Sequence, residues 1–539
     1  MLRGMKSLGV LAVAVALAGS LASQAQSGFE SQVDRVFAKW SSATPGCAVG
    51  VAVDGKPALA RGYGMADLEH DVTITPETIF EAGSVSKQFT AASVLLLARD
   101  GKLSLDDPVR KYIPELPNYA PPAENPAAPG VSPKPQAANA GAAPLSIRHL
   151  LNHTSGLRDW GSVSAIAGWP RTTRVYTHAH VLEIVSHQHA LNFPSGTQWS
   201  YSNTGFNLAA IIVQRVSGQP FPEFTRQRLF QPLGMSHTSW RDDYTRIVKG
   251  RAIAYSTAPE GFRTNMPFEN VYGNGGLLTT VGDLLKWNEN FTAHTVGDAA
   301  FAAEQQTRGT FNDGRSHGYG LGLFIGTYKG LNEVDHSGST AGYSAFLTRF
   351  PDQRLSVAVL CNVSTNATQL AHAVADVYLG DRVKPSTTRA SAVGADLAGL
   401  YRSTTTGLPL AIAPEKESWR GNRTWTFEGK DAARATDEFG TVERYERVAP
   451  VKPTAQELEA YAGTYASSDA ETEMSAAVES GVLVLKQRPD VIVTLTPAYR
   501  DAFGARSLGT VIFRRDRAGR VNEFSVVQDR VWDLRFRRK

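Results

Sequence analysis

The chain has 539 residues, with 55 Lys and Arg against 51 Asp and Glu, a formal net charge of +4, and acids and bases interspersed along its length. That balance argues against nucleic acid as a partner, and two cysteines exclude both a disulfide framework and a thiolate metal cluster. A chain this long buries a large core and is expected to hold more than one domain.

The first 25 residues read as a secretory signal. Arg3 and Lys6 form a charged start, Leu8 to Ala18 an apolar run, and Ser23-Gln24-Ala25 a small-residue end suited to cleavage after Ala25. The apolar run is too short for a comfortable membrane span and no later stretch is long and apolar enough, so the expected location is secreted or periplasmic. Residues 46–64 read as a hairpin, turning at Asp54-Gly55. A helix is expected from Ser84 to Asp100-Gly101. Residues 117–144 are rich in Pro and Ala without apolar periodicity and read as a flexible insertion. Residues 145–290 look mainly helical, with glycine-rich connections such as Gly273-Asn-Gly-Gly276. Strands are expected at Gly320–Ile325, Ser344–Phe350 and Leu355–Cys361, with a turn at Pro351-Asp352-Gln353, and a helix at Gln369–Tyr378. Cys47 and Cys361 both fall in strand-like runs. They read either as small buried apolar residues or as the one bridge that export would permit.

Strands at both ends with helices between predict an α+β unit over residues 28–382, an antiparallel sheet flanked by helices. A linker over 383–394, including Lys384-Pro-Ser-Thr-Thr, leads to a β region over 395–539. There Ala398-Gly-Leu-Tyr-Arg-Ser403 recurs as Ala462-Gly-Thr-Tyr-Ala-Ser467, and Gly-Thr-Val follows each at Gly440 and Gly509. Two copies, about 395–450 and 455–539, predict an antiparallel β-barrel or duplicated β modules. Trp532, Leu534 and Phe536 alternate with Asp533 and Arg535 as in a half-buried final strand, and Asp516-Arg-Ala-Gly519 is hairpin chemistry.

Three short segments carry the chemistry. Ser84-Val-Ser-Lys87 puts a hydroxyl and an amine one helical turn apart on one face. A lysine in a desolvated pocket can take the proton of an otherwise weak serine nucleophile. Tyr201-Ser-Asn203 lies on a loop before a helix, where the phenol can shuttle a proton to a leaving group, losing its own more easily near an ammonium, and the amide can hold the lysine or a substrate carbonyl. His336-Ser-Gly338-Ser339 begins the segment leading into the strand at Ser344. There a titratable imidazole can exchange protons, Gly338 admits substrate backbone, and the Ser339 N–H can pair with that of Ser84 as an oxyanion hole.

These segments, in this order, resemble the serine β-lactamase and penicillin-binding superfamily, most closely its class C β-lactamase and D-alanyl-D-alanine carboxypeptidase branch with its esterases and D-aminopeptidases. The likeness spans about residues 30–380. It includes Pro45-Gly46-Cys-Ala-Val, Ile147-Arg-His-Leu-Leu-Asn-His-Thr-Ser-Gly156-Leu and Gly273-Asn-Gly-Gly-Leu-Leu-Thr-Thr280. It implies that Ser84 is acylated, that Lys87 and Tyr201 manage protons, and that His336 to Ser339 line the substrate strand. His149 and His153 then belong to a structural segment. The β region resembles the lipocalin-like domains attached to some of these hydrolases, in which a barrel loop can approach the active site. His-Ser-Gly stands where efficient β-lactamases of this branch have Lys-Thr-Gly, which turns the expectation from β-lactams toward peptides of small or D-amino acids, with carboxylic esters second. A non-hydrolytic protein that binds β-lactams or senses peptidoglycan is the reading from another class. No metal-binding pattern or cofactor motif is visible, and His178-Ala-His180 and His187-Gln-His189 read as solvated helix residues. A small peptide or ester is the expected partner; the sequence leaves oligomeric state open.

Overall fold

The computed structural model describes residues 28–119, 144–383, 394–413, 423–437 and 440–539. The expected signal segment, nearly all of the Pro/Ala-rich insertion and the linker from Lys384 lie outside the described residues.

The main sheet has six antiparallel strands: β1 (Cys47–Val53), β2 (Lys56–Tyr63), β3 (Phe324–Tyr328), β4 (Leu331–Thr340), β5 (Tyr343–Phe350) and β6 (Leu355–Cys361). Their spatial order is β3-β4-β5-β6-β1-β2, so the two ends of this unit meet where β1 pairs with β6. Strand alternation feeds two cores. Ala48, Ala345, Leu347, Ala358 and Leu360 join the apolar cluster on one face, and Val49, Val51, Phe346, Val357 and Val359 that on the other. The helix Val281–Ala293 covers the first face and the helix Ala367–Leu379 the second. Cys47 stands opposite Cys361 in the β1–β6 register, and a disulfide joins them.

The helix Lys87–Arg99 is buried from Lys87 to Leu97 and packs on the helix Asn203–Ser217. A helix enclosed on all sides is a hub, which suits it to hold a lysine away from water. The strand expected at Gly320 begins only at Phe324. Gly322, with φ +76°, lies so close to the start of the hub that a Cβ would sit 2.7 Å from the Lys87 carbonyl oxygen. Of the four histidines expected in solvent, His189 is exposed as expected and the other three are half-buried. His178 Nε2 is 3.0 Å from the Tyr272 carbonyl oxygen, and His180 Nδ1 accepts from the Thr177 N–H. His187 and His189 pair with Glu471 and Asp469, because the β region covers this face.

Among the described residues, five strands between Gly399 and Val448 form an open sheet, and residues 463–538 form a closed eight-stranded barrel. The repeat seen in sequence has one clasp in both copies. Tyr401 Oη donates to Leu397 O and Tyr465 Oη to Tyr461 O, each four residues back. The guanidinium of Arg447 reaches Ala398 O, and that of Arg538 reaches Ala462 O. The α+β unit closes one part of the barrel core. Val163, Ile166 and Ala167, in and just after the helix Trp160–Ile166, share an apolar cluster with barrel residues Tyr465, Leu485, Phe503 and Phe524. Gln487 Nε2 donates to Ala165 O and Ile166 O, satisfying carbonyls at that helix end. Among the described residues no helix is long and apolar enough to cross a membrane.

Candidate active site

Ser84 lies in a single 3₁₀ turn, Gly83–Ser86, that runs straight into the hub helix. Ser86 Oγ donates to Gly83 O at 2.5 Å and accepts from Leu277 N at 3.1 Å, which pins the turn. One turn on, Lys87 is fully buried, and its Nζ lies 3.1 Å from Ser84 Oγ, 2.9 Å from Asn203 Oδ1 and 2.8 Å from Asn274 O.

Burial holds the Lys87 amine well below the ordinary lysine range, the nearby Arg530 guanidinium adds to this, and Asp159 opposes it. A neutral amine has two protons and one lone pair. The two carbonyl-type oxygens can only accept, so they take both protons. The lone pair is left facing the Ser84 hydroxyl, the arrangement a general base requires. Of the two roles open to Asn203, the structure gives it the lysine. The Asn274 carbonyl, from the Gly273–Gly276 segment, completes the clamp. Asn207 Nδ2 holds that segment through Asn274 Oδ1 at 2.6 Å and Tyr272 O at 2.8 Å.

Tyr201 lies half-buried among the same groups, with Lys87 Nζ 4.7 Å from its ring centre. Burial raises its phenol above the ordinary range, and the adjacent Ser84 hydroxyl only partly offsets this. The phenol therefore keeps its proton at neutral pH, in contrast to the easily ionised phenol expected from sequence, because burial outweighs the groups that would ease its ionisation. A neutral phenol is a donor and a relay. His153 packs behind it at 4.2 Å between ring centres, and its Nδ1 accepts from the Ser202 N–H. His149 closes a capping box with Ser146.

Strand β4 lies directly against the serine turn. An added Cβ at Gly338 would sit 2.0 Å from Ala82 O and 3.1 Å from Ser84 N. One at Gly83, where φ is +52°, would sit 2.5 Å from Ser339 N. Two glycines thus let the Ser84 and Ser339 backbones approach, as an oxyanion pocket requires. His336, on the same strand, differs from the titratable imidazole expected. Its Nδ1 donates to Ser337 O at 2.6 Å, and its Nε2 accepts from the Tyr319 hydroxyl at 2.8 Å. Burial, with the Lys87 side chain nearby, lowers its pKa to about 3, so it is a neutral strut at neutral pH. Tyr319, which fixes it, carries no motif that marks it in sequence.

These groups open into a cleft of about 670 Å³. At one end Arg241 makes a two-pronged contact with Glu81 at 2.8 and 3.0 Å, and Arg171 does the same with Glu269. The other end is closed by the barrel. Its last hairpin carries Arg530 into the cleft, with the guanidinium carbon 4.6 Å from the Tyr201 ring centre. The hairpin backbone is tied down, since Asp159 N and Asn192 Nδ2 both donate to Arg530 O.

The family profile described as Beta-lactamase matches residues 29–379. The chain belongs to the Beta-lactamase family. Among curated relatives it is 27% identical over 373 residues to a D-aminopeptidase of Gluconobacter oxydans, covering 69% of this chain and 65% of that one. It is 26% identical over 321 residues to penicillin-binding protein 4* of Bacillus subtilis, covering 56% and 64%. The chain spans less than two thirds of the length of these relatives. Among solved structures, the octameric penicillin-binding protein homologue from Pyrococcus abyssi superposes with a TM-score of 0.53 at 22% identity, over 95% of this chain and 99% of that one. The D-amino acid amidase from Ochrobactrum anthropi gives 0.53 at 21% identity, over 66% and 99%. The match to the Pyrococcus chain extends the shared fold through the β region.

Proposed function

We propose that this chain is an exported serine hydrolase that cleaves peptide bonds of small or D-amino-acid substrates through an acyl-enzyme on Ser84. The observation that carries this reading is the Lys87 clamp: two acceptors and one hydroxyl around a buried amine whose pKa is held well below the ordinary lysine range. Ser84 Oγ attacks the carbonyl carbon as its proton passes to Lys87 Nζ. The Ser84 and Ser339 N–H groups stabilise the oxyanion, a kind of arrangement worth about 3 kcal/mol per donor. As the C–N bond breaks, the proton returns through Tyr201 to the leaving nitrogen. Water then releases the acyl group by the reverse relay. The D-aminopeptidase and penicillin-binding relatives support peptide-type substrates. Export is supported by the signal-like start and by the Cys47–Cys361 disulfide, a bond that persists in oxidising compartments.

The test is intact-mass detection of a fluorophosphonate adduct on the wild-type chain, absent in Ser84→Ala. Turnover is then compared across D- and L-aminoacyl anilides, D-Ala-D-Ala peptides, p-nitrophenyl esters and nitrocefin. Absence of both labelling and turnover defeats the hydrolase reading, and nitrocefin outpacing the rest defeats the substrate assignment.

A further inference from the structure

The Tyr201 ring is shared by side chains from two parts of the chain. Lys87 Nζ lies 4.7 Å from its centre and the Arg530 guanidinium carbon 4.6 Å from it. The barrel thus brings a permanent charge within about 9 Å of the amine that faces Ser84. Three hydrogen bonds in series join the same two residues. Asp159 N donates to Arg530 O, Asn203 N to Asp159 Oδ2 at 2.8 Å, and Lys87 Nζ to Asn203 Oδ1 at 2.9 Å. Asp159 is buried, and its other carboxylate oxygen accepts from Ser162 N, so it is held in place beside the clamp. The remaining charged and titratable groups around Lys87 are settled among themselves. Arg171 is paired with Glu269 and Arg241 with Glu81, while burial leaves His153 and His336 neutral at neutral pH. Asp159 and Arg530 are then the opposed pair: the carboxylate draws a proton onto the amine and the guanidinium drives it off.

We propose that the barrel regulates the base: Arg530 offsets the Asp159 carboxylate, so that the Lys87 amine keeps its lone pair free for the Ser84 proton. Its catalytic consequence rests on the acyl-enzyme reading above, to which it adds Arg530 as a positioning residue acting through Lys87. Without the guanidinium, the buried Asp159 carboxylate is the nearest uncancelled charge, and it favours an ammonium. A third proton on Nζ would then occupy the position that faces Ser84 Oγ, and the serine would have no acceptor. With the guanidinium in place, that ammonium would share one ring with a second cation. Two unit charges about 9 Å apart at an effective dielectric constant of about 20 move a pKa by about one unit. Arginine suits the role because its charge persists at every working pH and its planar group stacks on a ring. Docking of the barrel and readiness of the nucleophile are in this way one event, although the barrel touches neither Ser84 nor the reacting carbonyl.

The test reads the amine directly and needs no turnover. In the full chain carrying lysine isotope-labelled at Cε, the Lys87 resonance is identified by its loss in Lys87→Met and titrated by NMR. Its midpoint is expected to rise by about one pH unit in Arg530→Gln and to stay near the wild-type value in Arg530→Lys, which keeps the charge. The acid limb of fluorophosphonate labelling is expected to move upward by the same amount in Arg530→Gln, because an amine of higher pKa stays protonated to a higher pH. A midpoint unchanged in Arg530→Gln overturns the proposal, since the charge then does not reach the amine. A midpoint moved equally by Arg530→Lys also overturns it, since the packing of the hairpin and not its charge is then responsible. Failure of Ser84 to label at any pH overturns the hydrolase reading alone and leaves the titration to decide the role of Arg530.

Discussion

Lys87 shows how much of the chemistry rests on the number of protons a buried group carries. Replacing it with Met keeps the volume and removes the base, so fluorophosphonate labelling is expected to fall about 10³-fold, within the range for a positioned general base. The pH dependence has a definite sign. Below the lowered Lys87 pKa the amine gains a third proton and loses the lone pair that faces Ser84, so labelling should show one acid limb. His336 contributes nothing to that limb, because its pKa lies near 3. His336→Gln should therefore change the rate and leave the position of the limb where it is; a displaced limb would show that the imidazole titrates during acylation.

Buried histidines also set the acid stability. His149 and His317 are held down to about 4 by burial, and His336 to about 3, against an ordinary value of 6.5. The unfolded chain binds these protons first, so stability is full above pH 6.5 and is lost as pH falls through the folded values. Near pH 5 each such histidine steepens the fall by about 1 kcal/mol per pH unit. Chemical denaturation of His317→Gln at pH 5 and 7 should show that share of the slope removed. An unchanged slope would mean that His317 is protonated in the folded state.

At the scale of elements, the serine turn and strand β4 work as a pair because neither has a Cβ where they meet. Gly338→Ala forces β4 away from Ala82 O and should cost about 10² or more in labelling, the effect of losing one oxyanion donor. The rate of labelling checks it, with circular dichroism to show the fold retained; near-normal labelling would show that the oxyanion site does not depend on this approach. Gly338 belongs to a segment that stands out in the sequence, and Gly83 directly precedes another. The elements legible there are those set by local pattern: the hairpin at Asp54-Gly55, the hub helix, and the two copies beginning at Ala398 and Ala462. What was illegible is contact made by atoms without side-chain identity. The Asn274 carbonyl that clamps Lys87 comes from 187 residues away and is backbone. Tyr319 reads as one more aromatic before a strand. The second copy closes into a barrel while the first stays open, although their opening motifs match.

Across the whole molecule, the barrel is part of the cleft. Arg530 sits in an ordinary hairpin turn, so nothing local in its sequence marks it; its place beside Tyr201 comes from where the barrel docks. That docking runs through Arg158, which is buried and reaches Gln188, Asp469 at 2.7 Å and the backbone oxygen of Asp533. Asp533 lies on the strand leaving the Arg530 turn, so one side chain anchors both the barrel edge and the hairpin. Removing the cation by Arg158→Met leaves the Asp469 carboxylate with His189 and takes a donor from the Asp533 carbonyl, a loss of about 3 kcal/mol for a broken buried pair. Arg158 touches neither Ser84 nor Lys87, so labelling by a small fluorophosphonate should stay within about tenfold of wild type while the melting temperature falls. Turnover of peptide substrates should fall further than labelling, because a loosened hairpin no longer holds the Arg530 guanidinium on the Tyr201 ring. If the melting temperature drops and peptide turnover falls no further than labelling, the contacts of Asp159, Asn192 and Ser200 suffice to hold the hairpin, and barrel docking and peptide turnover are separable.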